Sequence, residues 1–182
     1  MKIIAGKAGR IAIKVPSAVA RPTTGFVRQA IFSILGERVQ NARVLDLFAG
    51  SGALGLEALS RGAAACTFVD DSRQSTNTIA ENLSKTRLDG GHAVKSEVTP
   101  FLKRDTASYH LIFADPPYWK YHGDQDHVSD LLQSDLISPR LAPDGWFIVE
   151  ISSRQTSPIS GNFTLVARRE YGSSAILIYC VA

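Results

Sequence analysis

Residues 46–55 read DLFAGSGALG, and this stretch decides the fold. A short apolar run, residues 44–48, leads into it, and an apolar helical pattern over residues 54–59 follows. The three glycines match the spacing G-x-G-x-x-G, in which a tight turn joins a buried strand to a helix. Asp70 ends the next apolar run, twenty residues after the first glycine. The stretch therefore predicts the first strand, loop and helix of an α/β fold.

Short apolar runs and helical patterns alternate beyond this stretch, which predicts parallel strands covered by helices on both faces. The expected strands are residues 44–48, 67–69, 93–94, 111–114 and 146–149, and the expected helices are residues 54–59, 72–86 and 128–137. Residues 163–168 and 175–181 flank a turn at residues 171–174 and predict an antiparallel hairpin at one edge of the sheet. Ligands are expected outside the carboxyl ends of the parallel strands.

The N-terminal segment has a different pattern. Residues 2–15 alternate loosely around two glycines, which predicts a short hairpin or an extended arm. Thr23 or Thr24 is the expected N-cap of a helix that stops at Gly36. Because 182 residues suit one domain, residues 1–36 are expected to belong to the same domain as residues 37–182.

The glycine stretch suits a ligand with an adenosine group. Its expected contacts are the backbone and small side chains of Ala49, Gly50, Ser51 and Gly52, where free N–H groups meet a helix start. Asp70 can accept both hydroxyl protons of a ribose. A nicotinamide dinucleotide and S-adenosylmethionine both fit this pattern. Asp46 favours S-adenosylmethionine, because a carboxylate there attracts a cationic amino group and repels a pyrophosphate.

A second motif, Asp115-Pro116-Pro117-Tyr118, directly follows the apolar run 111–114. The amino nitrogen of a nucleobase is a poor nucleophile, because its lone pair is delocalised into the ring. The Asp115 carboxylate and the Pro116 carbonyl would accept its two hydrogens, and the carboxylate would offset positive charge that develops on nitrogen. Prolines make the turn rigid and remove competing donors. Tyr118 would stack on the base. These residues predict methyl transfer to an amino nitrogen.

The composition excludes several classes of protein. A hydrophobic fraction of 45% and a charged fraction of 20% indicate an ordinary globular chain. The longest apolar run, residues 175–182, is too short to cross a bilayer, and residues 1–7 do not resemble a signal peptide. Two cysteines are too few for a disulfide scaffold, and the four histidines lack metal-ligand spacing. We expect a cytoplasmic protein without a metal.

Charge is distributed unevenly along the chain. Residues 1–43 hold eight lysines and arginines and one acid, whereas the remaining 139 residues hold 12 basic and 16 acidic side chains. A basic end on a slightly acidic body predicts a polyanion that meets one face of the molecule. A solvated N-terminus without a partner gives the same pattern, so charge alone leaves both interpretations open.

Taken together, these stretches resemble the class I S-adenosylmethionine-dependent methyltransferases, and more narrowly the bacterial RsmD-type 16S rRNA guanine-N2 methyltransferases. The likeness covers almost the whole chain and includes residues 1–7, 21–24, 27–28, 32, 45–63 and 115–118. It implies a Rossmann-like, seven-stranded, mostly parallel sheet with a short N-terminal hairpin. It also implies S-adenosylmethionine as methyl donor and the N2 atom of guanine 966 as acceptor. The implied partner is 16S rRNA in the small ribosomal subunit, and we expect a monomer.

The resemblance also assigns roles to individual residues. Gly50 to Gly52 would hold the methionine part of the cofactor, Asp70 the ribose and Glu97 the adenine amino group. Residues 115–118 would hold the target guanine. The expected RNA-binding residues near the mouth of the site are Arg21, Thr23 and Arg28.

The chain departs from the family pattern in the first predicted helix. The family usually has Asp-Arg where this chain has Gly25-Phe26, and Glu where it has Gln29. A helix-capping carboxylate is therefore lost. The ribose acid is often Glu and is Asp70 here, and the adenine position is usually Asp or Asn and is Glu97 here. None of these changes affects Asp115 or the glycines, so an active enzyme is expected.

Three other functions stay open on the residues alone. A DNA adenine-N6 methyltransferase would use the same amino chemistry, but it would need a recognition region for which this chain has no room. An NAD-dependent oxidoreductase would explain the glycine stretch and leave Asp115 without a role. A non-catalytic RNA-binding module would explain the basic end and leave the glycine stretch without one.

Overall fold

The computed structural model describes residues 1–17, 23–117 and 126–182, and in these ranges seven strands form one sheet. The strands are β1 (Arg43–Leu47), β2 (Ala65–Asp70), β3 (Gly91–Lys95), β4 (Tyr109–Ala114), β5 (Leu141–Ser152), β6 (Phe163–Tyr171) and β7 (Ser174–Val181). Their order is β3-β2-β1-β4-β5-β7-β6. Strands β1 to β5 are parallel, and β7 is antiparallel to both β5 and β6. The predicted fold class is confirmed.

Five helices and two short 3-10 segments accompany the sheet in the described ranges. The helices are α1 (Gly25–Leu35), α2 (Ala53–Ser60), α3 (Arg73–Thr86), α4 (Val98–Arg104) and α5 (His127–Gln133), and the 3-10 segments are Gly36–Val39 and Ser138–Arg140. None of these helices is long and apolar enough to cross a membrane.

The central strands are apolar on both faces because each face packs against its own cluster. On β1, Val44 belongs to a cluster that contains the apolar side chains of α1 and α2, whereas Leu45 belongs to a second cluster with α4 and α5. The same alternation separates Leu111 from Ile112 on β4. Alternating side chains of a strand point to opposite faces, so continuous apolar runs are what a doubly covered sheet requires.

The N-terminal segment folds back on itself and packs on α2. One antiparallel bridge joins Lys2 to Ala12, and Ile3 and Ile13 are buried in the α1–α2 cluster. The Glu57 carboxylate accepts hydrogen bonds from the backbone N–H groups of Ile4 (2.8 Å) and Ala5 (3.0 Å). The N-terminal segment therefore forms a single β-bridge in place of a regular hairpin, and the buried Glu57 carboxylate attaches it to α2.

The helices differ from the sequence prediction in two places. The last predicted helix, residues 128–137, ends at Gln133, where the Ser134 hydroxyl donates to the carbonyl of Leu131 (2.8 Å). Helix α4 was not predicted, because a proline such as Pro100 usually breaks a helix. Pro100 lies in the first turn of α4, where a missing N–H costs nothing. The predicted N-cap of α1 is confirmed at Thr24, whose hydroxyl accepts a hydrogen bond from the N–H of Val27.

Candidate active site

A cavity of about 1010 Å³ opens at the carboxyl ends of the central strands. Strands β1 and β4 are neighbours although β2 and β3 lie between them in sequence, so the strand order reverses there. Ligands of open α/β sheets bind at such a reversal. The cavity is lined by the loop after β1, the ends of β2 and β4, and residues from α5, β5 and β7. Both sequence motifs thus contribute to one cavity.

The glycine loop turns sharply between β1 and α2. Gly50 has φ 56° and Gly52 has φ 77°, values that side chains disfavour, and the Gly52 N–H donates to the carbonyl of Ala49 (2.7 Å). Ala49, Gly50 and Ser51 line the cavity. Gly52 precedes the first residue of α2 as its N-cap. The loop therefore brings Ala49, Gly50 and Ser51 to the cavity, whereas Gly52, the fourth predicted contact, is not among the lining residues.

Gly55 has a different role from Gly50. A Cβ at this position would lie 2.3 Å from Phe68 Cε1 and 2.5 Å from Cys66 Sγ, both on β2. Its N–H donates to Asp46 Oδ2 (3.0 Å). The third glycine therefore allows α2 to pack closely on the sheet and does not line the cavity.

Asp70 is held at the end of β2 by two backbone hydrogen bonds. Its Oδ2 accepts from the N–H of Gly50 (2.8 Å), and its Oδ1 accepts from the N–H of Ser72 (2.9 Å). The side chain is half-buried and lines the cavity. Each carboxylate oxygen has a second lone pair, so both can still accept a ligand hydroxyl.

Asp46 is buried at the floor of the cavity, with a relative exposure of 2%. Burial raises the pKa of its carboxyl well above the usual value, and the nearby carboxylates of Asp115 and Asp70 raise it further, whereas the bond from the Gly55 N–H lowers it. A cationic ligand beside Asp46 would favour the ionised carboxylate.

Asp115 follows β4 and lines the same cavity. The Thr23 hydroxyl, which lies just before α1 and is 7% exposed, donates to Asp115 Oδ2 (2.5 Å). Pro116 is buried and Pro117 is exposed. Tyr118, the fourth residue of the motif, lies outside the described residues. The Asp115 carboxylate is therefore held by a residue that precedes it by 92 positions in the sequence.

The described part of the cavity lining is strongly acidic. It contains seven carboxylates, no lysine or arginine, and one histidine, His127. The carboxylates are Asp46, Asp70, Asp71, Glu97, Asp115, Asp130 and Glu150. Such a lining attracts a cation and repels a pyrophosphate. The described residues contain no group of three or more side chains arranged to hold a metal ion.

Glu97 lies at the rim of the cavity. It is exposed, precedes α4 as its N-cap, and makes no capping hydrogen bond with its side chain. The structure thus brings it to the same cavity as Asp70, where a ligand extending from the glycine loop would reach it.

The prediction that Arg28 binds RNA is wrong. Its side chain is 1% exposed. One guanidinium nitrogen donates to the Lys2 carbonyl (2.6 Å), a second contacts Met1 Sδ (2.9 Å), and Nε lies 3.8 Å from Glu57. The charge count took this arginine as a surface cation, but it joins the N-terminal segment to α2. Arg21, the other predicted arginine, lies outside the described residues.

Sequence reasoning missed Glu150 and Ser174. Glu150 is 8% exposed and Ser174 is 5% exposed, both line the cavity, and the Ser174 hydroxyl donates to Glu150 Oε1 (2.7 Å). The available signal was a carboxylate at the end of an apolar strand, the same pattern that identified Asp70 and Asp115. Glu150 directly follows the predicted strand, residues 146–149, so the signal was present in the sequence and was not used.

Comparisons with known proteins agree with this geometry. The family described as Conserved hypothetical protein 95 matches residues 1–180. Ribosomal RNA small subunit methyltransferase D of Escherichia coli K12 is 32% identical over 181 residues, 98% of this chain and 89% of that protein. The solved structure of a hypothetical protein of Thermus thermophilus, TTHA0928, is 32% identical, covers 98% of both chains and has a TM-score of 0.81.

A more distant solved structure shares the fold. SMU.776, which was crystallised with S-adenosylhomocysteine, is 18% identical and has a TM-score of 0.65 over 81% of this chain and 48% of that one. The family match spans nearly the whole chain, and the relatives are methyltransferases. The chain belongs to the Conserved hypothetical protein 95 family, which is the RsmD family of class I methyltransferases.

Proposed function

We propose that this protein transfers a methyl group from S-adenosylmethionine to the N2 atom of a guanine in 16S rRNA, at the position numbered 966. The observation that carries the proposal is the shared cavity: the glycine loop and the Asp115 carboxylate, held by Thr23, line one opening at the sheet edge. The small ribosomal subunit is the proposed substrate, as the name of the Escherichia coli relative indicates for that protein.

The residues of the cavity suit S-adenosylmethionine, which supplies a methyl group on a cationic sulfur when bound. Ala49, Gly50, Ser51 and Gly52 would hold its methionine part, Asp70 its ribose and Glu97 its adenine. Asp46 would face the amino group. The acidic lining favours this cation over a dinucleotide, and SMU.776, which has the same fold, was crystallised with the corresponding product.

Asp115 would act on the target amino nitrogen. Its carboxylate and the Pro116 carbonyl would accept the two amino hydrogens, which directs the nitrogen lone pair toward the methyl donor. The nitrogen gains a methyl group and loses one proton, and Asp115 is the nearest acceptor for that proton. Fixed negative charge beside the nitrogen stabilises the positive charge of the transition state. Most of the rate would come from alignment of the two reactants.

The RNA would reach this site along the N-terminal segment. Lys2, Lys7, Arg10 and Lys14 are exposed there and would meet phosphates. Arg21 and Tyr118 would complete the contacts at the mouth, the first on phosphate and the second stacked on the base.

A panel of acceptors tests the proposal. Purified protein is incubated with S-adenosylmethionine labelled on its methyl group and with small ribosomal subunits that lack the modification, naked 16S rRNA, or DNA. We expect label in subunits or 16S rRNA and none in DNA. Label in DNA as N6-methyladenine would replace the proposal with the DNA adenine methyltransferase. Calorimetric binding of NAD but not S-adenosylmethionine would replace it with an oxidoreductase.

A further inference from the structure

We propose that Glu150 selects guanine, by accepting a hydrogen bond from the ring N1–H of the base whose amino group lies at Asp115. This inference rests on the proposed function and adds the residue that distinguishes guanine from the other bases with amino groups. The Asp115 motif alone does not make that distinction, since adenine and cytosine also carry exocyclic amino groups.

The sheet register places Glu150 beside Asp115. Ala114 of β4 pairs with Val149 of the parallel strand β5. Asp115 and Glu150 are the residues that directly follow this pair, one on each side. Neighbouring strands lie about 4.8 Å apart, and paired residues point to the same face. Both side chains line the same cavity. An amino group bound at Asp115 would therefore have its adjacent ring atom within reach of Glu150.

The Glu150 carboxylate is buried and oriented before any base arrives. It is 8% exposed, and its Oε1 accepts from the Ser174 hydroxyl at 2.7 Å, with Ser174 itself 5% exposed on the antiparallel strand β7. Ionised carboxylates only accept hydrogen bonds and offer about four acceptor positions. The Ser174 hydroxyl occupies one of these positions, and a carboxylate can accept several hydrogen bonds at once.

Base chemistry makes such an acceptor selective for guanine. The guanine amino group at C2 is flanked by N1–H, a donor, and by N3, an acceptor. The adenine amino group at C6 is flanked by the N1 and N7 acceptors, and the cytosine amino group at C4 by the N3 acceptor and a C–H group. Guanine alone places a donor next to its amino group. An adenine in the same position would place a lone pair against the carboxylate, and buried polar groups left unpaired give strong rejection.

The test combines one substitution with one base analogue. Small subunits are assembled with either guanine or 2-aminopurine at the target position, because 2-aminopurine keeps the 2-amino group and lacks the N1–H. Single-turnover methyl transfer is measured for the wild type, for Glu150→Gln, and for Glu37→Gln, the same change at an exposed site in the 3-10 segment after α1. We expect Glu150→Gln to lower transfer to guanine by about tenfold to 100-fold.

The base analogue separates recognition from structural damage. Transfer to 2-aminopurine should be slow in the wild type and should change less than about threefold in Glu150→Gln. With this base neither protein can form the hydrogen bond from N1–H to residue 150, because 2-aminopurine has no N1–H. Glu37→Gln should match the wild type on both substrates. An equal loss on both bases would show a structural role and overturn the inference, as would an unchanged rate on guanine. Absence of wild-type transfer to guanine N2 would instead refute the proposed function, and the inference with it.

Discussion

Asp46 lies near the carboxylates of Asp70 and Asp115, and it has the greatest burial of the three. Because burial and the two neighbouring carboxylates raise its pKa, the Asp46 carboxyl holds its proton to a higher pH than a free aspartate. A ligand with positive charge reverses this preference. Ligand binding and proton release are therefore linked at this residue.

We predict that S-adenosylmethionine binding releases protons at pH values between the pKa of Asp46 in the complex and its raised pKa in the free protein. The bound cation lowers the Asp46 pKa, so affinity should increase as pH rises through this window. Calorimetry in two buffers of different ionisation enthalpy, kept below the ligand's own amino pKa of about 7.7–8.0, measures the release. Asp46→Asn should abolish it. Affinity that falls with rising pH would contradict the assignment.

Thr23 holds the Asp115 carboxylate from a distant part of the chain. We predict that Thr23→Val lowers kcat by about tenfold to 100-fold, since a hydrogen bond to a charged group contributes ~1.5–3 kcal/mol and each 1.36 kcal/mol is tenfold in rate. The S-adenosylmethionine dissociation constant should stay within about twofold. Thr164→Val, at an exposed position on β6, is the matched control. A loss of cofactor affinity with normal kcat would refute this positioning role.

At the scale of elements, α2 packs so closely on β2 that Gly55, the third glycine of the motif, has no room for a side chain. We predict that Gly55→Ala destabilises the protein by about 1–3 kcal/mol, because its Cβ would overlap Phe68 and Cys66. Cofactor affinity should be nearly unchanged, as Gly55 does not line the cavity. Urea unfolding measures the first effect and calorimetry the second. Gly161→Ala, with nothing within 4 Å, should be neutral. Loss of affinity without loss of stability would reverse this interpretation.

Helix α2 also carries the acid that holds the N-terminal segment. We predict that Glu57→Ala lowers the free energy of unfolding by about 3–5 kcal/mol, because it leaves the buried Arg28 guanidinium without its counter-charge. The backbone N–H groups of Ile4 and Ala5 also lose their acceptor. Glu81→Ala breaks only the exposed ion pair with Lys14 and should cost less than about 1 kcal/mol. Equal costs in urea unfolding would contradict this account.

The sequence was sufficient to predict the strands and most of the helices, but not α4 and not the contacts between distant residues. Apolar runs predicted the strands because both sheet faces are covered, and acids at strand ends identified Asp70 and Asp115. Arg28 could not be distinguished from a surface arginine, since its burial depends on Glu57, which is far away in sequence. The Thr23 bond to Asp115 depends in the same way on how α1 packs on the sheet.

The whole molecule separates its charges. Acidic side chains line the cavity, and exposed basic side chains of the N-terminal segment lie on the outer surface. The arrangement suits an enzyme that binds a cationic cofactor inside while a polyanion binds outside. One domain carries both surfaces, because the N-terminal segment packs into the same cluster as α2 and the sheet.

The most direct measurement is nucleoside analysis of small ribosomal subunits that have been labelled by wild-type protein and by Asp115→Ala. We expect the wild type to give label in N2-methylguanosine alone, and Asp115→Ala to give none while it binds S-adenosylmethionine nearly as tightly. Label in another nucleoside, or full transfer by Asp115→Ala, would contradict the central claim that Asp115 directs methyl transfer to a guanine amino group.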